Sequence, residues 1–142
     1  MAFDSIYQIA GSAMNAQTVR LNTVASNLAN ADSAAGDAKD VYQSRKPIFA
    51  AVYANDQLSR GTGTGGAHVQ VLDVVTSGRE AKKRYEPDHP LADRSGYVFY
   101  PDVNEIEEMT DMMAATRSFE TGVEVLNRIK SMQQGLLKLG EA

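Results

Sequence analysis

The most constraining feature of this chain is a narrow apolar stripe that runs through both ends and is missing from the middle. Tyr7, Ala10, Met14, Gln17, Leu21, Val24, Leu28 and Ala31 recur at spacings of three and four. That is the rhythm of a helix with one thin heptad seam. It predicts a helix over 3–31, roughly 40 Å long at about 1.5 Å per residue. Phe3, Ile6, Ile9 and Ala13 widen the stripe at its start, and Asp4 or Ser5 is placed to cap it. Gly11 inside the pattern is either a loss of helix propensity or a point where another backbone comes close.

The second seam begins near the other end. Met109, Met112, Thr116, Phe119, Val123 and Leu126 keep the same rhythm. Beyond Leu126 the stripe shifts, through Ile129 and Met132 to Leu136 and Leu139, a skip that locally changes the winding of a coiled coil. A helix over 104–139 is expected. Asn104 and Glu107 form its capping pair, and Gly140 stands where a C-cap belongs.

Between the seams the period changes. VYQSRKPIFAAVYA (41–54) is rich in β-branched and aromatic residues and reads as a strand interrupted by Pro47. NDQLSRGTGTGGA (55–67) reads as a flexible tip, and HVQVLDVVT (68–76) as a second strand. KKRYEPDHPLAD (82–93) is extended, and RSGYVFYPDV (94–103) is a turn and a short aromatic strand. The fold class expected is therefore α+β. Long N- and C-terminal helices, covering 1–33 and 102–142, form a coiled-coil domain. A small β-rich insert of two or three hairpins covers 34–101. One two-helix hairpin buries little, so a pair this thin calls for further partners.

Composition narrows the function. Of 142 residues, 43% are hydrophobic, which supports a core, but only 7% are aromatic and Trp is absent. Ala and Met thus supply much of the apolar surface, as suits thin helix seams. A net charge of −4 argues against a general nucleic-acid binder, and the basic cluster Arg79–Arg84 is broken by Glu80. The absence of cysteine excludes disulfides, thiol catalysis and Cys-ligated zinc. Asp4 sits where a signal peptide needs a basic residue, so no cleavable secretion signal is expected, and no run reaches the roughly 20 apolar residues of a membrane span.

No motif carries chemistry. GTGTGG (61–66) lacks the Lys-Ser or Lys-Thr of a phosphate loop and reads as a hairpin tip. Asp102–Glu105 lacks the glycine and distal Glu of a calcium loop. His68 and His89 have no partners at zinc spacing. Glu105, Glu107, Glu108 and Asp111 read as charges favoured by a helix N-terminus rather than catalytic carboxylates. No catalytic, cofactor-binding or metal residue is assigned. The Asn22, Asn27 and Asn30 set leaves two readings open: capping with solvent exposure, or hydrogen bonding across helix layers.

Three segments carry a resemblance. GSAMNAQTVRLNTVASNLANADS (11–33) looks like the N-terminal signature of axial rod and hook proteins. YEPDHPLADRSGYVFYPDVNEIEEM (85–109) and ATRSFETGVEVLNRIKSM (115–132) look like the same family's approach to its last helix and its C-terminal signature. The chain resembles the flagellar basal-body rod proteins, specifically those of the proximal rod. The resemblance implies a non-enzymatic subunit, exported unprocessed through the flagellar type III apparatus into a rod crossing the periplasm. It implies terminal helices that order on assembly into a hollow drive shaft. It also implies self-association and the partners FlgB, FlgF, FlgG and the adaptor FliE, with no cofactor. The assembly residues expected are Met14, Leu21, Val24, Asn27, Leu28 and Asn30 on the first helix. On the last they are Met109, Met112, Phe119, Val123, Leu126 and Ile129. The alternatives are another axial subunit, a cytosolic coiled-coil adaptor or chaperone, and a small nucleotide-binding enzyme.

Overall fold

The structure, a computed structural model, describes residues 2–53 and 67–140. The element order is α1 (Ala2–Ala29), β1 (Arg45–Tyr53), β2 (Ala67–Thr76), β3 (Lys82–Tyr85), β4 (Tyr97–Tyr100) and α2 (Glu105–Gly140). The fold is α+β: two long terminal helices with two small antiparallel hairpins between them. The GTGTGG stretch lies outside the described residues.

α1 is the organising element. One of its faces packs on α2 and the other on the β1–β2 hairpin. Ala10, Val24 and Ala31 of the expected seam are buried, and the other seam positions are half-buried. Ala16, Thr23 and Asn27 are buried on the face turned to the hairpin. There the Ser12 hydroxyl accepts from the Val69 amide at 3.0 Å, and the Arg20 guanidinium lies 4.9 Å over the Phe49 ring. A helix covered on two sides needs small residues at its contacts, which is why the alanines are inside.

The helices pack antiparallel: Tyr7, near the start of α1, donates to Gln133, near the end of α2, at 3.2 Å. The α2 seam differs from expectation. Beside the half-buried Glu107 and Asp111, its buried and half-buried positions are Glu108, Met112, Ala115, Phe119, Gly122, Leu126, Ile129 and Gln133, an unbroken alternation of four and three. Met109, Thr116 and Val123, expected in the seam, are exposed beside it, and no skip occurs at Leu126. Contact is close at Gly122, where an added Cβ would stand 2.7 Å from Met14 Cγ. The flexible Met14 side chain fills the notch left by glycine.

Local signals were partly displaced. α1 starts at Ala2, so Asp4 and Ser5 lie within its first turn rather than at a cap. Nothing among the described residues approaches within 4 Å of a Cβ built at Gly11, so no described backbone explains that glycine. Asn104 does cap α2, its Oδ1 accepting from the Ile106 and Glu107 amides at 3.1 and 3.4 Å. Glu107 does not reach back to complete the pair. Its carboxylate takes Lys46 Nζ instead, at 2.6 Å. Gly140 is the last residue of α2 rather than a cap beyond it.

Pro47 does not interrupt β1. It pairs with Val74 in a two-stranded ladder, where either strand has an outer edge that needs no amide donor. A register shift between Ile48 and Phe49 lets the ladder pass Leu72, since Ile48 pairs with Asp73 and Phe49 with Val71. β3 and β4 form the second hairpin. Its connection turns on Asp93, whose Oδ1 accepts from the Ser95 and Tyr97 amides at 2.7 and 2.9 Å. Gly96 follows at φ 80, where a Cβ would also meet Tyr85 Cε2 at 2.9 Å. Paired amide–carbonyl bonds between Ala35 and Phe99, at 2.8 and 3.0 Å, tie this hairpin to the chain leaving α1. Val98, beside Phe99 on β4, is fully buried.

Candidate assembly surface

The apolar residues of this chain are distributed by size in an unusual way. The buried set is small: Ala10, Ala16, Ala31, Ala115, four valines and Ile129. Many of the large ones are exposed. At 100° per residue, Ile106, Met109 and Met113 lie on one flank of the α2 seam. Val125, Met132, Leu136 and Leu139 lie on the other. Ile106 and Leu139 are each 77% exposed, and Met132 60%. α1 adds Ile6 and Ile9. At the open end of the helix pair, Phe3, Leu136, Leu137 and Gln133 line an open apolar cleft. Burying one such Leu, Ile or Met is worth about 1.5–3 kcal/mol. Contiguous exposed apolar surface of this kind marks an interaction site.

The second feature is polar. Asn27 is fully buried, and its amide is spent inside the chain. Its Oδ1 accepts from the Arg45 amide and the Tyr42 hydroxyl, and its Nδ2 donates to the Arg45 carbonyl, each at 2.9 Å. A primary amide has the donor–acceptor spacing of a peptide, so Asn27 pairs with Arg45 as a neighbouring strand residue would. It thereby fixes where β1 starts against α1. The Ser26 hydroxyl lies 3.1 Å from that of Tyr42, and Ser44 is held to Ser77 by a side-chain bond of 2.7 Å and a backbone bond of 2.8 Å. The open choice at Asn27, capping or bonding across layers, thus resolves in the free chain to a clamp between helix and hairpin. Asn30 bonds locally, its Nδ2 donating to the Ser26 carbonyl at 2.8 Å, and Asn22 is exposed.

Ion pairs join the insert to the start of α2. The Glu107 carboxylate beside Lys46 is held below the usual range, chiefly by that hydrogen bond, and Lys46 is raised for the same reason. Asp102 receives Lys82 at 2.7 Å and Arg79 at 3.7 Å. Its pKa is lowered, mainly by the Lys82 hydrogen bond. So part of the broken basic cluster serves as an internal tie. His89 belongs to a turn, its Nδ1 accepting from the Leu91 amide at 3.1 Å. Among the described residues no cluster of His, Cys, Asp and Glu has metal-holding geometry, and no helix is long and apolar enough to cross a membrane.

The expected assembly residues therefore fall into three places. Val24, Asn27 and Ile129 are buried within the chain, and Met14, Leu21, Leu28, Asn30, Met112, Phe119 and Leu126 are half-buried. Only Met109 and Val123 are exposed. The sequence reading missed Tyr42, Glu108 and Gly122. For Gly122 a signal existed, a glycine in phase with Ala115 and Ile129. Tyr42 carried none, because the group it shares with Asn27 is backbone 18 residues along the chain.

Comparison with known proteins decides the family. Residues 8–36 match the family model described as "Flagella basal body rod protein", and residues 94–139 match "Flagellar basal body rod FlgEFG protein C-terminal". The flagellar basal-body rod protein FlgC of Escherichia coli O6:H1 is 45% identical over 141 residues, covering 99% of this chain and 100% of that protein. The chain belongs to the FlgC family of flagellar basal-body rod proteins. FlgC of Salmonella typhimurium is 44% identical over the same 99% of this chain and 100% of its own length. FlgC of Bacillus subtilis is 34% identical over 153 residues, covering 99% of both chains. This FlgC-family chain is a structural subunit of the basal-body rod. One family match covers most of α1 with the turn after it, and the other runs from the β3–β4 turn through most of α2.

Proposed function

We propose that the two terminal helices, residues 1–33 and 102–142, form the inner wall of a helical tube, with 34–101 as its outer part. The tube transmits torque and encloses the path of exported subunits. The observation that carries this reading is the pair of exposed apolar flanks on either side of the α1–α2 seam. A helix pair with one apolar flank would make a dimer. One with a flank on each side has a neighbour to bind in both directions, which is the requirement for a closed or helical array. The role is mechanical, not catalytic. The residues expected at the assembly interface act in two ways: Met109 and Val123 touch neighbours, and Met14, Leu21, Val24, Asn27, Leu28, Asn30, Met112, Phe119, Leu126 and Ile129 hold the pair in the shape that presents them.

The partners in this reading are further copies and the rod subunits FlgB, FlgF and FlgG, with FliE at the base. The setting is the periplasm, reached through the flagellar export apparatus without cleavage of a signal. The test begins with mass spectrometry of detergent-extracted basal bodies, where this chain is expected at a level comparable to other rod subunits. Met109→Glu then separates assembly from folding. The purified variant keeps its helix content, because Met109 is already in water, while its incorporation into basal bodies falls. Normal incorporation of Met109→Glu would overturn the placement of the flank.

A further inference from the structure

The residues of β3 and β4, KKRY and YVFY, hold Lys82, Lys83 and Arg84, four aromatic rings and no acid. Of these residues only Val98 is buried. On the face opposite Val98 the ladder pairs Lys83 with Phe99 and Tyr85 with Tyr97. The Lys83 ammonium stands 5.5 Å over the Phe99 ring, and the Tyr85 and Tyr97 rings meet edge to face at 5.3 Å. Both tyrosines are exposed. A shallow groove of ≈ 420 Å³ beside them is lined by Lys83, Asp93, Ser95, Tyr97 and Phe99. Asp93 is its one acid, and its Oδ1 is taken by the Ser95 and Tyr97 amides. Among the described residues no ion pair takes Lys83. The water-facing side of an antiparallel ladder ordinarily carries polar residues. Here it carries three rings and one lysine, and rings of this kind are what interfaces favour.

A complementary surface is present on the same chain. Between Glu105 and Glu124 the α2 helix has Glu105, Glu107, Glu108, Asp111, Glu120 and Glu124 against Arg117 alone. Ile106, Met109 and Met113, each more than half exposed, form the flank beside these acids. At 100° per residue Glu120 continues that flank. It is exposed, and among the described residues no ion pair takes it. Within one chain the hairpin leaves this flank open, since Ile106 is 77% exposed.

We propose that the aromatic face of the β3–β4 hairpin docks on the Ile106–Met113 flank of α2 in a second copy of this chain. This inference rests on the assembly reading above and names what covers one of the two flanks. Lys83 then faces Glu120, and the Met109 and Met113 thioethers lie against the tyrosine rings, a contact that sulfur makes well. Two hairpins face to face would oppose cation to cation, and two flanks acid to acid, so charge steers each surface to the other kind. The contact is heterologous: each copy offers its hairpin to one neighbour and its flank to another.

Charge reversal and crosslinking test it. Lys83→Glu should leave the helix content and melting of the purified chain unchanged, because Lys83 is exposed, while incorporation into basal bodies is lost. Adding Glu120→Lys to the same chain should restore incorporation. Normal incorporation of Lys83→Glu, or a loss that Glu120→Lys does not repair, overturns the contact. The chain has no cysteine, so Tyr85→Cys and Met113→Cys can be expressed together as separate chains. Mild oxidation of their basal bodies should give a disulfide-linked dimer, and neither variant alone should give one. A dimer from either variant alone, or none with both present in the basal bodies, overturns the contact and leaves the assembly reading standing. Absence of the wild-type chain from basal bodies would instead refute the assembly reading.

Discussion

Replacing Asn27 gives the sharpest test of how the insert is held. The side chain makes three bonds of 2.9 Å, two of them to the backbone of Arg45, and none of its surface reaches water. A typical bond contributes about 1 kcal/mol net, and a buried partner left unmade costs about 1–3 kcal/mol. Arg45 is exposed and its backbone can partly rehydrate. Asn27→Ala should therefore destabilise the chain by about 2–4 kcal/mol, not the full sum. For a chain of this length that is a melting-temperature loss of roughly 10 °C. Asn27→Asp is the more searching variant. One oxygen can still accept from Arg45 and Tyr42, but the other now faces the Arg45 carbonyl, where a donor is required. The buried charge raises the folded-state pKa of the new carboxyl above its unfolded value of about 4. The penalty is then full above the folded pKa and shrinks as pH falls through it, because the protonated acid can donate to Arg45. Urea unfolding followed by circular dichroism at pH 7 and near pH 5 reads this directly. The gap between wild type and Asn27→Asp should narrow at the lower pH, while the gap for Asn27→Ala stays constant. A loss under about 0.5 kcal/mol for Asn27→Ala, the scatter of ordinary surface changes, would refute the clamp.

Gly122→Ala gains up to about 1 kcal/mol of helix propensity but drives a Cβ to 2.7 Å from Met14 Cγ. It should lower stability, and a double-mutant cycle with Met14→Ala should show the penalty removed. Gly11→Ala meets nothing within 4 Å. It should raise the melting temperature of the purified chain by the propensity term alone, about 1 kcal/mol. Acid should loosen the insert from α2. The folded pKa values of Glu107 and Asp102 are lowered, so their contributions are complete above the ordinary carboxylate range and vanish as pH falls through the folded values. The double variant Lys46→Met with Lys82→Met should flatten that part of the stability–pH curve. The effect is small, because Lys46 and Glu107 are both more than two-fifths exposed.

The first helix was legible because its seam is built from the residues that periodicity detects. Met14, Leu21, Val24 and Leu28 are large and apolar, and they face the partner. The second helix was legible as a helix, but only half of its contact line was. Its seam alternates Met112, Phe119, Leu126 and Ile129, which periodicity selects, with Glu108, Ala115, Gly122 and Gln133, two polar and two small residues that no hydrophobic pattern selects. The conspicuous residues Met109 and Val123 sit one position away, toward solvent. Reading them as core merged the seam with an exposed flank and produced an apparent skip at Leu126. The hairpins were found by their β-branched and aromatic runs. Pro47 was misjudged because a two-stranded ladder leaves one side of each strand unpaired, which a sequence does not reveal. Contacts far apart in sequence were the least visible: Lys46 takes Glu107 from its cap across 61 residues.

That misreading of α2 carries a physical lesson about the subunit. Because Glu, Ala, Gly and Gln fill half of the seam, the helix pair closes on itself with limited apolar burial. Many of its large side chains remain in water. Ile106, Met113, Met132, Leu136, Leu137 and Leu139 are all more than half exposed, and burying six such residues is worth on the order of 10 kcal/mol. Association of two bodies costs about 4–15 kcal/mol in lost freedom, so a single contact between two copies would be weak. A subunit with flanks in two directions changes the balance, because each added copy loses its freedom once and gains contacts on more than one side. A chain built this way is expected to be reluctant to dimerise in dilute solution and cooperative in an array. The interior notch at Gly122 and the clamp at Asn27 serve that end: they make the free chain definite enough in shape to be added, while leaving most of its large apolar surface for its neighbours.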